Sequence, residues 1–248
     1  MKLSELKSYL DQLLNVSHFH DYCPNGLQVE GRNEIYTVIT GVTASLNLLQ
    51  AAVAANADLI LVHHGYFWRG ENECVVGMKR HRIALLIENN INLLAYHLPL
   101  DAHSVLGNNA QLGCQLDFIE SGRFGEQNIA MLGHLSRDIT LEELGVKIER
   151  VLSRTPLIIG DKAGLIRRIA WCTGAAESYF NEAIRLNVDV FITGEISERN
   201  VHVSRECGVG LISAGHHATE RYGVKALGEH IAQKFGITHQ FIDENNPV

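Results

Sequence analysis

A chain of 248 residues with 46% hydrophobic and 20% charged residues has the balance of an ordinary globular protein, long enough for one large α/β domain or two small ones. A formal net charge of −7 and the lack of a Lys/Arg run leave no footprint for a nucleic-acid backbone, with Lys79-Arg80-His81-Arg82 the one local basic cluster. No stretch reaches membrane-span length, Met1–Leu6 carries charges foreign to a signal peptide, and five scattered cysteines without C-x-x-C spacing fit reduced thiols in a cytoplasmic protein.

Leu3, Leu6, Leu10, Leu13 and Leu14 recur at helical spacing behind Ser4, a capping residue. His18 to Gly26 is rich in turn formers and reads as a loop. Tyr36–Thr40 reads as a strand, Ser45 caps a helix to about Asn56, and Asp58–Val62 is an apolar strand that runs into His63-His64-Gly65. Such an unalternating run suits a strand covered on both faces, as in a parallel sheet. A helix over about Lys79–Asn89 leads to a strand at Ile91–Tyr96, then to His97-Leu98-Pro99-Leu100-Asp101, and Asn108-Asn109 opens another helix.

The segment from about 118 to 161 is less regular. Gly122-Arg123-Phe124-Gly125 reads as a surface turn, and Thr140-Leu141-Glu142-Glu143 is a capping box for a helix to about Leu152. Strands follow at Arg167–Thr173, Val188–Thr193 and Val209–Ser213, with helices at Ser178–Asn187 and Ser197–Cys207 between them. Val224, Leu227, Ile231 and Phe235 mark a long helix, and Ile237–Ile242 a last strand. The β-α-β order with short connections predicts a parallel or mixed α/β architecture.

Tyr36–Gly65 and Arg167–Glu195 share a plan of strand, helix, Asn-x-Asp or Ala-x-Asp and apolar strand, with Gly174 set against Gly41 and Asp189 against Asp58. Further on, His97-x-x-x-Asp101 matches His216-x-x-x-Glu220. This loose repeat predicts two similar α/β lobes, 1–125 and 126–248, presenting polar strand ends to a shared cleft. Terminal elements are free to cross between the lobes.

Ligand sites of open α/β sheets gather at the carboxyl ends of strands, where His63 and His64 fall. Neighbours on a strand point to opposite faces, so the pair suits either a chain already turning at Gly65 or two ions side by side. An isolated His-His pair is more often one packed and one solvated histidine. Residues i and i+4 share a helical face, so His216 can meet Glu220; His217 is the i+3 alternative, and the repeat favours His216. His63, His64, Asp101, His216 and Glu220, with His97 close by, exceed the needs of one tetrahedral zinc. Imidazole and carboxylate suit zinc, iron, manganese or similar divalent ions, and a two-metal site with ions ~3.5–4 Å apart uses this inventory well. Glu195 is a candidate general acid/base or a partner of a ligand, with a helix-capping role the plainer reading. Tyr66, Phe67 and Trp68 offer a stacking surface for a planar base, although such clusters are more often packing. There is no G-x-S-x-G, P-loop or G-x-G-x-x-G signature.

Asn25-Gly26-Leu27-Gln28-Val29-Glu30-Gly31, Val62-His63-His64-Gly65, His97-Leu98-Pro99-Leu100-Asp101, Thr193-Gly194-Glu195 and Gly215-His216-His217-Ala218-Thr219-Glu220 occur in this order. Together they resemble the Nif-three-like family, the GTP cyclohydrolase 1 type 2 homologues, in its short bacterial form. The resemblance implies a dinuclear site of two divalent ions per subunit in a homohexameric ring, a trimer of dimers. It gives His64 and Asp101 to one ion, His63 and His216 to the other, and Glu220 to both. His97 matches the family's motif but lies outside its core ligand set, and so joins Glu195 as a catalytic candidate.

The function expected first is a metal-dependent hydrolase acting on a small nucleotide or a modified or damaged purine, with ring opening of GTP as one specific form. A metal-binding scaffold or metal-delivery ring without turnover is the alternative. A role in DNA repair is a third reading, without support from the acidic composition.

Overall fold

The apolar run before the paired histidines is, in the computed structural model of the chain, the middle strand of a five-stranded sheet; the structure describes residues 1–248. The strands are β1 (Gly26–Val29), β2 (Thr37–Thr43), β3 (Leu59–His64), β4 (Asn92–Ala95), β5 (Ile119–Phe124) and β6 (Ala130–Thr140). They continue with β7 (Leu157–Ile159), β8 (Leu165–Cys172), β9 (Val190–Thr193), β10 (Gly210–Ser213) and β11 (Thr238–Phe241). The chain divides into two α/β units, one of residues 1–107 and 223–245, the other of residues 108–222 and 246–248.

In the first unit the sheet order is β1-β4-β3-β2-β11, parallel except for the antiparallel edge strand β1. Both faces of β3 are covered. Leu59 and Leu61 pack with Leu3, Leu6 and Leu10 of the helix Leu3–Leu13 and with Val224, Leu227 and Ile231. Ile60 and Val62 pack on the other side with Leu48, Leu49, Ala52, Ile83 and Leu86. Each of these side chains contributes roughly 1.5–3 kcal/mol by leaving water, which is why the strand needs no polar alternation. Ser45 caps its helix as expected, accepting from the Leu48 amide at 3.1 Å. The first helix begins one residue before Ser4, at Leu3, whose N–H donates to Asn33 O at 2.8 Å.

The second unit orders its sheet β5-β6-β8-β9-β10-β7, with β8, β9 and β10 parallel and the others antiparallel additions. The helix Leu141–Leu152 carries the predicted capping box and buries Leu141, Leu144, Ile148 and Leu152 against Ile169, Trp171 and Ile192. The segment read as irregular holds the long hairpin β5–β6. Gly122 and Phe124, assigned to a surface turn, lie in β5, paired with Leu132 and Ala130. For the same reason the division between units falls at Gly107/Asn108 rather than near residue 125: β5 belongs to the sheet that follows it. Residues 223–245 return to the first unit, with β11 parallel to β2.

The internal repeat has a physical basis in two aspartates. Asp58 Oδ2 accepts from the Tyr36 and Thr37 amides at 2.8 and 2.9 Å. Asp189 Oδ2 accepts from the Arg167 and Arg168 amides at 2.8 and 2.7 Å. Each carboxylate thereby fixes the start of one parallel strand against the start of the next. The ladders align Leu59 with Val190, and by extension His64 with Glu195. The counterpart of Gly41 is then Cys172, not Gly174.

Asp58 is buried and also holds Arg32 Nη1 at 2.9 Å, so its loss strands two amides and a guanidinium. Asp58→Ala is expected to cost about 3 kcal/mol in urea unfolding. Asp189→Ala, at a partly exposed position, should cost less.

Candidate metal centre

The first unit presents its polar groups at the carboxyl ends of β3 and β4. Strand pairing persists to Thr43↔His64, so the chain turns only at Gly65, and the two rings nonetheless sit with centroids 4.5 Å apart. His63 is fully buried. Its Nδ1 lies 2.9 Å from Tyr96 O; a carbonyl only accepts, so Nδ1 carries a proton. The ring's Nε2 is 3.4 Å from Asp101 Oδ1. His64 Nδ1 lies 3.3 Å from Thr43 Oγ1.

Asp101 is buried in the short helix Leu98–Ala102, which Pro99 starts with a preset φ. His97 sits before that helix and does not share a face with Asp101. Its ring turns instead to Asp21, with Nδ1 2.7 Å from Asp21 Oδ1, and its centroid lies 5.0 Å from that of His63. Asp21 also accepts from the amides of Tyr22 at 2.6 Å and Leu98 at 3.0 Å, and from Asn25 Nδ2 at 2.8 Å. Burial works against its charged form, but the hydrogen bond and positive charge of His97, with the Asn25 and Tyr22 donors, outweigh it and hold the carboxyl at about 2. One ring nitrogen from each of His63, His64 and His97 falls within 4.8 Å of the others. Cys23, buried nearby, is pushed up to about 12 by desolvation and by the charges of Asp21 and Asp101, and stays a thiol.

Of the three aromatics behind the histidines, Tyr66 is core, with its hydroxyl donating to Ala44 O at 2.9 Å. Phe67 packs against the same apolar cluster. Trp68 alone turns toward the histidines, edge-on to His97 at 4.9 Å.

In the second unit the helix His216–Phe235 starts at the carboxyl end of β10. His216 Nε2 and Glu220 Oε2 are 3.1 Å apart, the i,i+4 pairing that the repeat favours. His216 Nδ1 lies 2.5 Å from Glu195 Oε1, which places Glu195 as the partner of a candidate ligand. Glu220 is buried. Gly174, at φ +69°, passes so close that a Cβ there would overlap the Glu220 carboxylate. Burial alone would lower the His216 imidazole; the hydrogen bonds and charges of Glu220 and then Glu195 raise it to about 9.

Each unit therefore joins imidazole to buried carboxylate, with ring nitrogens fixed by an oxygen on the Nδ1 side, the donor set that hard to borderline divalent ions take. The model of the Duf34/NIF3 (NGG1p interacting factor 3) family matches residues 1–247. The chain belongs to this family. Among Duf34/NIF3 relatives, the GTP cyclohydrolase 1 type 2 homolog of Pseudomonas aeruginosa is 52% identical over 249 residues, covering 99% of this chain and 98% of its own. The homolog of the same name from Neisseria meningitidis serogroup B is 51% identical over 241 residues, covering 97% of each chain. Of solved structures, protein ybgI, titled as of unknown function, is 46% identical with a TM-score of 0.97 over the full length of both chains. TTHA1606 from Thermus thermophilus is 31% identical with a TM-score of 0.90, again over both full chains. The Duf34/NIF3 fold is thus the fold of this chain, and no helix in it is long and apolar enough to cross a membrane.

Spacing missed Asp21, Thr43 and the Tyr96 carbonyl. Asp21 is 76 residues from His97 and stood out only as a turn former. Because His216 is raised above its ordinary 6.5, its contacts stabilise the ion-free protein fully below that pH and cease to do so as pH rises through about 9. In chelator, the stability advantage of wild type over His216→Ala is expected to shrink between pH 7 and pH 10, measured by denaturant unfolding.

Proposed function

We propose that the chain is a divalent-metal-dependent hydrolase acting on a nucleotide or modified purine, with ring opening of GTP the first reaction to assay. The proposed ligands of the two ions are His63, His64 and Asp101 in the first unit and His216 and Glu220 in the second. The observation that carries this reading is the pairing, in each unit, of a buried carboxylate with an imidazole whose Nδ1 is tied to an oxygen. The name of the curated relatives supports the reaction class. When bound, two such ions stabilise charge developing at a scissile bond and activate water at neutral pH.

The chain's own residues prepare that chemistry. The Tyr96 carbonyl keeps the proton of His63 on Nδ1, so Nε2 is the nitrogen available to an ion. Glu195 holds the Nδ1 side of His216 and turns Nε2, protonated at neutral pH in the ion-free protein, toward Glu220. Burial of His63, Asp101 and Glu220 removes competing water from these donors. Trp68, the one of the three aromatics behind the histidines that turns toward them, supplies a surface for a planar base.

Protein purified without chelator should carry close to two ions per subunit by elemental analysis, and Glu220→Ala should lose most of them. Asp101→Ala that remains folded should lose turnover in a nucleotide-hydrolysis screen run with the recovered metal. Near-zero metal in folded wild type after reconstitution would end the hydrolase reading. Bound metal with no turnover on any nucleotide would favour the scaffold or metal-delivery reading instead.

The same reading takes the assembly to be a homohexameric ring. Light scattering should return close to six times the 27.5 kDa subunit mass. A monomer at all concentrations would remove this part of the proposal.

A further inference from the structure

Three of the histidines have Nδ1 within 3 Å of an oxygen that orients them. His63 uses the Tyr96 carbonyl, His216 uses Glu195, and His97 uses Asp21. The last two are carboxylate–histidine pairs, and they fall on the two histidines that the repeat sets against each other. An oriented imidazole with a carboxylate behind it is the usual construction of a metal ligand, because the carboxylate fixes the tautomer and raises the basicity of the outward nitrogen. From this construction we infer that His97 is an additional ion-binding imidazole beside His63 and His64, and that Asp21 is the positioning residue that makes it one.

The inference rests on the metal-dependent reading above and adds a ligand and its positioning residue to it. Asp21 is tied down by more than His97. Two backbone amides and the Asn25 side chain converge on its carboxylate, and Asn25 Oδ1 in turn accepts from the His97 amide at 2.7 Å. The loop 21–25 therefore grips both the backbone and the ring of His97. An ionised carboxylate accepts only, so His97 Nδ1 must donate, and Nε2 is the nitrogen turned away from Asp21. The ring-nitrogen grouping of His63, His64 and His97 is small enough for one cation.

The test uses Co²⁺ as the probe on the full-length, chelator-treated protein, followed by its visible absorption and by calorimetry. Asp21→Asn presents an amide that can donate to His97 Nδ1 and so put the proton on Nε2. It is expected to weaken one Co²⁺ site by roughly 10–100-fold and to change the d–d spectrum. His97→Gln, which leaves every Asp21 backbone contact in place, should do the same, with the circular dichroism spectrum unchanged. Wild-type stoichiometry, affinity and spectrum in His97→Gln would overturn the inference while leaving the five-ligand reading intact. Failure of wild type itself to bind Co²⁺ would overturn both. If Asp21→Asn unfolds, the His97→Gln result decides alone.

Discussion

The structure depends on the register of parallel strands buried on both faces. A one-residue slip of β3 would exchange the two apolar clusters that cover it and carry His63 and His64 to the opposite faces of the sheet. Asp58 opposes that slip by binding two amides at the head of β2 with one carboxylate oxygen, and Asp189 repeats the arrangement at the head of β8. His63, His64 and Glu195 sit at the far ends of the strands these carboxylates align. Their placement thus depends on hydrogen bonds near the starts of those strands that never touch them.

A second level of order acts on the rings. A histidine at a strand end has two nitrogens and free rotation, and the structure restricts both. Tyr96, Glu195 and Asp21 each occupy the Nδ1 side of one ring, which fixes its orientation and the proton on Nδ1. Gly174 adds a steric element, since only a residue without Cβ lets the Glu220 carboxylate lie where it does. Holding His216 beside two carboxylates draws the imidazole toward its protonated form in the ion-free protein. A divalent cation would compete with that proton by supplying the positive charge itself.

The apolar runs of β3, β4, β9 and β10 were legible because strands covered on both faces have no need for polar residues. So were the capping box at Thr140 and the repeat, which rests on Asp58 and Asp189. The hairpin β5–β6 was not. β5 is largely exposed and contains Gly122, and β6 carries Gly133, His134, Arg137 and Asp138, so neither shows the expected alternation. Their order comes from pairing with each other and with β8, which local propensity does not record. The adjacent histidines and the two acid-bearing pairs were visible as motifs. Asp21 was not, because its role arises from a loop folding back on a strand end far along the chain.

Each unit holds one tryptophan, and the two stand in opposite surroundings. Trp171 is in the core of the second unit, packed between Gly113 and Gly133, with its indole N–H donating to Asn109 O at 2.9 Å. Trp68 is partly exposed in the first, beside His64 and His97. Their emission therefore divides by colour: a blue component that reports the integrity of one core, and a redder one sensitive to the charge on neighbouring imidazoles. A single fluorescence spectrum separates the melting of one unit from changes around the histidines of the other, with no label attached.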